Sequence, residues 1–156
     1  MSVREVTQSI RIHAGPERVW DALVHPEAGE RWRNARFATD WRPGSPIAIE
    51  ALIGTKRYRD KGRVLRAEPH SALEYTYWSR VSGLPDAPGS YSRIAMVLVA
   101  DGADTVLTVT QRVPPSPVRR GPGWEIGDDS GARHVEFYWR TTLPVLKRVA
   151  EAGGAG

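Results

Sequence analysis

The sequence predicts an α+β domain in which an antiparallel sheet packs against one long C-terminal helix. Strand patterns follow one another through residues 37–113, each with apolar and polar residues in alternation. Two short helical patterns come directly after a first strand, and a helical pattern from Ala132 to Ala152 closes the chain. Because the strands form runs and the helices are segregated from them, we expect an antiparallel sheet rather than βαβ crossovers.

The first part of the chain predicts one strand and two helices. The segment Val3–His13 alternates and contains β-branched residues, as strands do. A helix is expected from Pro16, because proline suits the first helical position. His25 stands at the predicted end of this helix, and a second short helix is predicted over Pro26–Trp32.

The remaining elements are separated by turn-forming residues, such as the Asp101-Gly102 pair. The predicted strands are Phe37–Trp41, Ile47–Ile53, Gly62–Ala67, Leu73–Ser79, Tyr91–Ala100 and Thr105–Val113. Residues 81–89 and 114–131 are rich in proline and glycine and are expected to be irregular. In the final helix one face is apolar and should enter the core; it carries Val135, Tyr138, Trp139, Thr142, Leu146 and Val149.

Composition indicates an ordinary globular domain. The chain has 156 residues, of which 40% are hydrophobic and 26% charged. We expect one domain over residues 1–152 and a flexible tail over residues 153–156. No apolar run approaches the length of a membrane helix, and Met1–Gln8 lacks the apolar stretch of a signal peptide. Cysteine is absent, so disulfides and thiolate metal sites are excluded. A cytoplasmic protein without membrane insertion is the expectation.

The net charge of +4 does not predict nucleic-acid binding, because the basic residues are scattered along the chain. Their densest group is interrupted by Tyr58, Asp60 and Gly62, and we expect it to form the solvated tip of a hairpin. Its members are Lys56, Arg57, Arg59, Lys61 and Arg63.

No motif in the sequence predicts catalysis. The four histidines lack the spacing of metal ligands, so neither a metal nor a cofactor is expected. A nucleophile elbow, a P-loop and a dinucleotide fingerprint are all missing. His134 stands at the start of the last helix, beside the irregular segment, where it is either an exposed helix-start residue or part of a pocket rim.

Five segments, in order, carry a resemblance to a known family. They are IRIHAGPERVWDALVHPEAGERW, DWRPGSPIAIE, YRDKGRVLRAEPHSALEYTYWS, SGLPDAPGSYSRIAMVL with TVLTVTQ, and HVEFYWRTTLPVLKRVAE. The chain resembles the activator-of-heat-shock-ATPase-like (Aha-type) branch of the START-like, or SRPBCC, superfamily. The resemblance implies the helix-grip fold, in which a curved sheet of about seven strands wraps around the last helix. It also implies a cavity between them, which in many relatives binds an apolar small molecule.

The inward faces of the strands and of the last helix supply the residues that we expect to contact a ligand. Gln111 places an amide among apolar groups, and a buried amide needs a partner. That partner is Tyr75, Tyr77, water or a ligand, and an internal hydrogen bond is the interpretation we favour. The predicted ligand-binding residues are Phe37, Ile49, Ile53, Tyr75, Tyr77, Met96, Leu107, Val109, Gln111, Trp124, His134, Tyr138 and Thr142.

Three functions remain open, because the superfamily does not imply one reaction. The first is the binding of an apolar or aromatic small molecule without a cofactor. The second is an adaptor that contacts a chaperone ATPase through its surface. The third is a cyclase- or hydrolase-like enzyme, or a self-resistance protein, that acts on a natural product in the same cavity. A preformed pocket favours the first and third functions, and a filled core with an exposed apolar patch favours the second.

The segment Pro114–Gly131 is predicted to gate the cavity, with Trp124 closing over a bound apolar group. The alternative is a passive connector in which Trp124 anchors the segment or is exposed. Ligand binding should slow amide hydrogen exchange in a gate, and Trp124→Ala should speed ligand release with little loss of stability. Exchange and release rates that both stay unchanged would identify the passive connector.

Overall fold

The computed structural model describes residues 4–53, 55–79, 84–115, 119–122, 124–126 and 130–153. For residues 52–53, 119–121, 124–126 and 130 it describes the backbone only. The strands are β1 (Arg4–Ile12), β2 (Ala35–Ala38), β3 (Pro46–Ile53), β4 (Lys56–Glu68), β5 (Ala72–Trp78), β6 (Ser92–Asp101), β7 (Asp104–Val113), β8 (Arg119–Gly121) and β9 (Trp124–Ile126). The helices are α1 (Pro16–Val24), α2 (Pro26–Arg33) and α3 (Ser130–Ala152).

The first seven strands form one sheet in the order β1-β7-β6-β5-β4-β3-β2, with every neighbouring pair antiparallel. The predicted helix-grip fold is thereby confirmed, including the two short helices after the first strand. The pairing of β1 with β7 brings the start of the chain beside its later part. In the described ranges, no helix combines the length and the apolar character needed to cross a bilayer.

Helix α3 lies against the inward face of the sheet, and its two ends are tied to other elements. Near its start, the Gln8 side chain donates a hydrogen bond to the Glu136 carbonyl at 2.7 Å. Near its end, Glu151 accepts from the backbone N–H of His13 at 2.8 Å. The core between helix and sheet includes Trp139, Leu143 and Leu146 of α3, packed with apolar residues from the other elements.

The structure corrects the expected position of the basic cluster. Lys56 to Arg63 do not form a hairpin tip but lie in β4, which begins six residues earlier than the predicted strand at Gly62. Alternation explains the arrangement, because successive strand residues point to opposite faces. The basic side chains of Arg57, Arg59, Lys61 and Arg63 are therefore exposed, whereas Asp60 and Val64 are buried.

Strand β2 is shorter than predicted and ends before Trp41. Two side chains bend the backbone here, because Thr39 accepts a hydrogen bond from the Trp41 N–H at 3.2 Å and Asp40 accepts from the Arg42 N–H at 2.8 Å. Short polar side chains that bond to the backbone two residues on are typical of turns. Trp41 itself has a φ of 58°.

The expectation that Pro114–Gly131 contains no regular structure is wrong, because β8 pairs with β9 in a short antiparallel hairpin. Its turn includes Pro122. Proline has no backbone N–H to donate, and at this turn position the hairpin requires no such hydrogen bond. The side chain of Trp124 lies outside the described residues, as does that of Ile53. The proposed gating by this segment stays a prediction.

Trp139→Ala is expected to lower the free energy of unfolding by about 3–5 kcal/mol, because it removes a large buried side chain and leaves a void. Trp139 is 3% exposed and also hydrogen-bonds to a buried amide. Phe137→Ala is the matched control, since Phe137 is 55% exposed on the same helix. Chemical denaturation should show a change within about 0.5 kcal/mol for the control. Similar losses in both variants would show that the inward face was assigned wrongly.

Candidate functional site

A cavity of about 340 Å³ lies between α3 and the inward face of the sheet. Its wall draws on α2 and the start of β2, on the inward faces of β3, β5, β6 and β7, and on the first half of α3. Most of the wall is aromatic or aliphatic, with a small number of polar groups among them. The residues that line it are Arg33, Asn34, Ala35, Phe37, Ile49, Ala51, Tyr75, Tyr77, Ile94, Gln111, His134, Val135, Tyr138 and Trp139.

Seven of the predicted ligand-binding residues line this cavity: Phe37, Ile49, Tyr75, Tyr77, Gln111, His134 and Tyr138. His134 is exposed, so it stands at the rim. Four others are buried away from the wall, namely Met96, Leu107, Val109 and Thr142. Leu107 shares a face with Gln111 but lies four residues away along β7, about 13 Å at the rise of a strand. Alternation thus identifies which residues point inward, but it does not show which of them border the cavity.

The buried amide of Gln111 has an internal partner. The indole N–H of Trp139 donates a hydrogen bond to Gln111 Oε1 at 2.8 Å. An internal hydrogen bond was the expectation, but the partner is a helix residue and not Tyr75 or Tyr77. The bond joins α3 to β7 beside the cavity. It also fixes the orientation of an indole ring that lines the cavity wall.

Aromatic rings form a connected cluster on one side of the cavity. Phe37 stacks on Trp41 with ring centroids 6.2 Å apart, and both rings contact Tyr75 edge-on. Trp41 has the unusual positive φ noted above, which is an outlier for a bulky residue. Its indole N–H donates to the Val24 carbonyl at 3.1 Å. These contacts hold Trp41 in a conformation that the chain alone would disfavour.

Seven lining residues were not among the predicted ligand-binding residues, and Arg33 is the charged one: the others are Asn34, Ala35, Ala51, Ile94, Val135 and Trp139. Arg33 is the last residue of α2, followed by Asn34 in the left-handed conformation that commonly ends helices. Its side chain is only 8% exposed. The guanidinium carbon lies 4.3 Å from the centre of the Trp32 ring and 4.2 Å from that of Phe37. Gly29 gives it room, since a Cβ at Gly29 would lie 2.7 Å from Arg33 Nη1.

The surroundings of Arg33 are apolar and aromatic rather than acidic. Burial lowers the pKa of Arg33, and the nearby phenols of Tyr75 and Tyr138 oppose this effect. An arginine nevertheless remains charged at neutral pH. The periodicity of the sequence does not distinguish this arginine from the exposed arginines beside it. One local hint was available, because aromatic residues stand directly before it and four positions after it.

The cavity phenols stay protonated at neutral pH. Burial raises the pKa of Tyr138 to about 12, with a further contribution from Tyr75. Burial also raises the pKa of Tyr77, whose hydroxyl donates to the Asp60 carboxylate at 3.0 Å. Such phenols orient a polar group by hydrogen bonding and do not act as bases at neutral pH. Across the described part of the chain, no group of three or more His, Asp and Glu side chains is placed to hold a metal ion.

Comparison with known proteins gives one family match. The family model described as "Activator of Hsp90 ATPase homolog 1-like protein" matches residues 13–151. No curated protein matches the chain.

Solved structures share the fold across nearly the whole chain. ChR145 from Cytophaga hutchinsonii is 27% identical, with a TM-score of 0.74 and 100% of both chains covered. CalU16 from Micromonospora echinospora is 22% identical, with a TM-score of 0.68 and 95% of this chain and 76% of that chain covered. The Aha1 dimer from Colwellia psychrerythraea is 18% identical, with a TM-score of 0.68 and 97% of this chain and 98% of that chain covered.

Tyr138→Phe is expected to flatten the pH dependence of stability between pH 10 and 12. Burial raises the pKa of Tyr138 to about 12 in the folded protein, whereas the ordinary pKa of a tyrosine phenol is 10.0. The unfolded chain therefore binds fewer protons in this window, and stability falls as pH rises. The variant should lack this loss of up to about 2 kcal/mol. Urea unfolding at several pH values measures it, and equal slopes for both proteins would contradict the assigned burial.

Proposed function

Because the chain belongs to the Activator of Hsp90 ATPase homolog 1-like family, the Aha-type branch of the START-like superfamily, we propose that it binds an apolar or aromatic small molecule between the sheet and α3. One observation carries the proposal: the fold leaves a preformed cavity of about 340 Å³ at the place where the helix faces the sheet. Its volume falls within the range of small-molecule sites, roughly 300–1,000 Å³.

The composition of the wall supports an aromatic or apolar ligand. Phe37, Tyr75, Tyr138 and Trp139 present rings to the cavity, and rings interact favourably with one another edge-on or offset. Ile49 and other aliphatic side chains complete the wall. A ligand that replaces the empty space would regain the contacts that these side chains lack.

The arrangement favours binding over catalysis. General acid–base catalysis needs a group that accepts or releases a proton near neutral pH. The raised pKa values of Tyr77 and Tyr138 keep both phenols protonated at neutral pH, so neither phenol acts as a base there. We therefore favour ligand binding over an enzymatic reaction on a natural product as the function of this cavity.

A second candidate function is stimulation of a chaperone ATPase, which is what the family description names. Apolar side chains exposed on β4 and β6 favour it, since such surfaces commonly mark protein contacts. They are Leu65, Val97 and Val99, which are 37%, 46% and 56% exposed. This function does not require the cavity, so a variant with a filled cavity would retain it.

Purified protein is expected to bind N-phenylnaphthylamine, an uncharged aromatic probe, with an increase in probe fluorescence. Ala51→Phe should weaken this binding by at least about tenfold, because Ala51 lines the cavity and a phenyl group there would occupy its space. Fluorescence titration measures both affinities.

The matched control is Ala48→Phe. Ala48 lies on the same strand as Ala51 but points to the opposite face, where it is exposed. Its probe affinity should equal that of the wild-type protein. Absence of binding to the wild type, or equal loss in both variants, would refute a ligand site in this cavity.

A further inference from the structure

The guanidinium of Arg33 is incompletely paired. Nε and Nη2 are both buried, and neither has a hydrogen-bond partner among the described residues. No carboxylate is among the groups that act on its charge, and the side-chain hydrogen bond that favours its charged form is with the Tyr75 phenol. Buried polar groups are nearly always hydrogen-bonded, so two orphaned donors on one buried cation are an exception that requires an explanation.

The two unpaired nitrogens form one edge of the guanidinium. Nη2 lies across the Nε–Cζ bond from Cδ, so that the Nε–H and one Nη2–H bond point in the same direction. This edge matches the two oxygens of a carboxylate or a similar oxyanion, which can accept both hydrogen bonds at once. A matching partner would therefore carry a negative charge and two oxygens placed side by side.

The aromatic neighbours compensate the charge only in part. Trp32 and Phe37 attract the cation through their ring faces, with ring centres at 4.3 and 4.2 Å from Cζ. Rings of this kind provide no strong acceptor for the N–H groups. A buried charge that lacks an acceptor is costly, and an acceptor that enters the adjoining cavity would remove that cost.

We propose that the ligand of this cavity carries an oxyanion, such as a carboxylate or sulfonate, on its apolar body, and that this group pairs with the Nε–Nη2 edge of Arg33. The proposal rests on the proposed function and specifies its ligand class. It is carried by the position of Arg33 in the cavity wall together with its two orphaned donors. Since both nitrogens are enclosed in the empty protein, ligand entry should be accompanied by a side-chain rotation at the wall.

A pair of probes that differ by one group tests this proposal. Anilinonaphthalene sulfonate is N-phenylnaphthylamine with an added sulfonate, so the ratio of their affinities isolates the contribution of the anion. The preference for the sulfonate is the affinity for anilinonaphthalene sulfonate divided by that for N-phenylnaphthylamine. This preference should be at least about tenfold lower in Arg33→Met than in the wild-type protein. The control is Arg36→Met, which removes the same charge from an exposed residue outside the cavity wall and should leave the ratio unchanged.

Stability separates a ligand contact from a structural role. In ligand-free protein, Arg33→Met should unfold at the same or higher denaturant concentration, because it removes a buried charge without an acid partner. If Arg33→Met does not fold, Arg33→Lys keeps the charge but loses the two-donor edge, and the sulfonate preference should still fall.

An unchanged probe ratio in whichever Arg33 variant folds would overturn the proposal. So would an equal fall in Arg36→Met, which would show that the sulfonate responds to surface charge. These results are distinct from failure of the proposed function, which is shown by the uncharged probe. If that probe binds and responds to Ala51→Phe while the ratio is insensitive to Arg33, the cavity binds ligands but does not select anions.

Discussion

The packing of α3 against the inward face of the seven-stranded sheet is the constraint on which the rest of the structure depends. The second half of the helix buries Leu143 and Leu146 in the core. In the first half, His134, Val135 and Tyr138 face the cavity instead. The same helix therefore provides both the stability of the fold and one wall of the candidate site.

Between these two halves lies Trp139, which belongs to both. Its ring is part of the core, it lines the cavity, and its N–H satisfies Gln111. Helix α2 ends at Arg33, whose guanidinium lies against the rings of Trp32 and Phe37. The candidate site therefore combines an aromatic wall with one buried cation that keeps two unpaired donors in the described residues.

The fold is shared by proteins of low sequence identity from different organisms, and a shared fold does not by itself determine function. The chemistry of the candidate site depends on the side chains at the cavity. Tyr77 and Asp60 are paired with each other, and Gln111 is paired with Trp139. Arg33 retains two donors without partners in the described residues, which makes it the group most able to discriminate among ligands.

The sequence by itself determined the order of the elements, the antiparallel sheet and the inward faces, because hydrophobic alternation and helical spacing are local properties. Seven cavity residues followed from those faces, among them Phe37 and Tyr75. Only the tertiary structure decided which inward residues border empty space, so that Leu107 lies in the core while Gln111 reaches the wall. It also decided the burial of Arg33, because the rings that enclose the guanidinium come from α2, β2 and the segment that follows β2. Contacts between separate elements leave no periodic trace in the chain, and hydrophobic periodicity therefore does not distinguish a buried arginine from an exposed one.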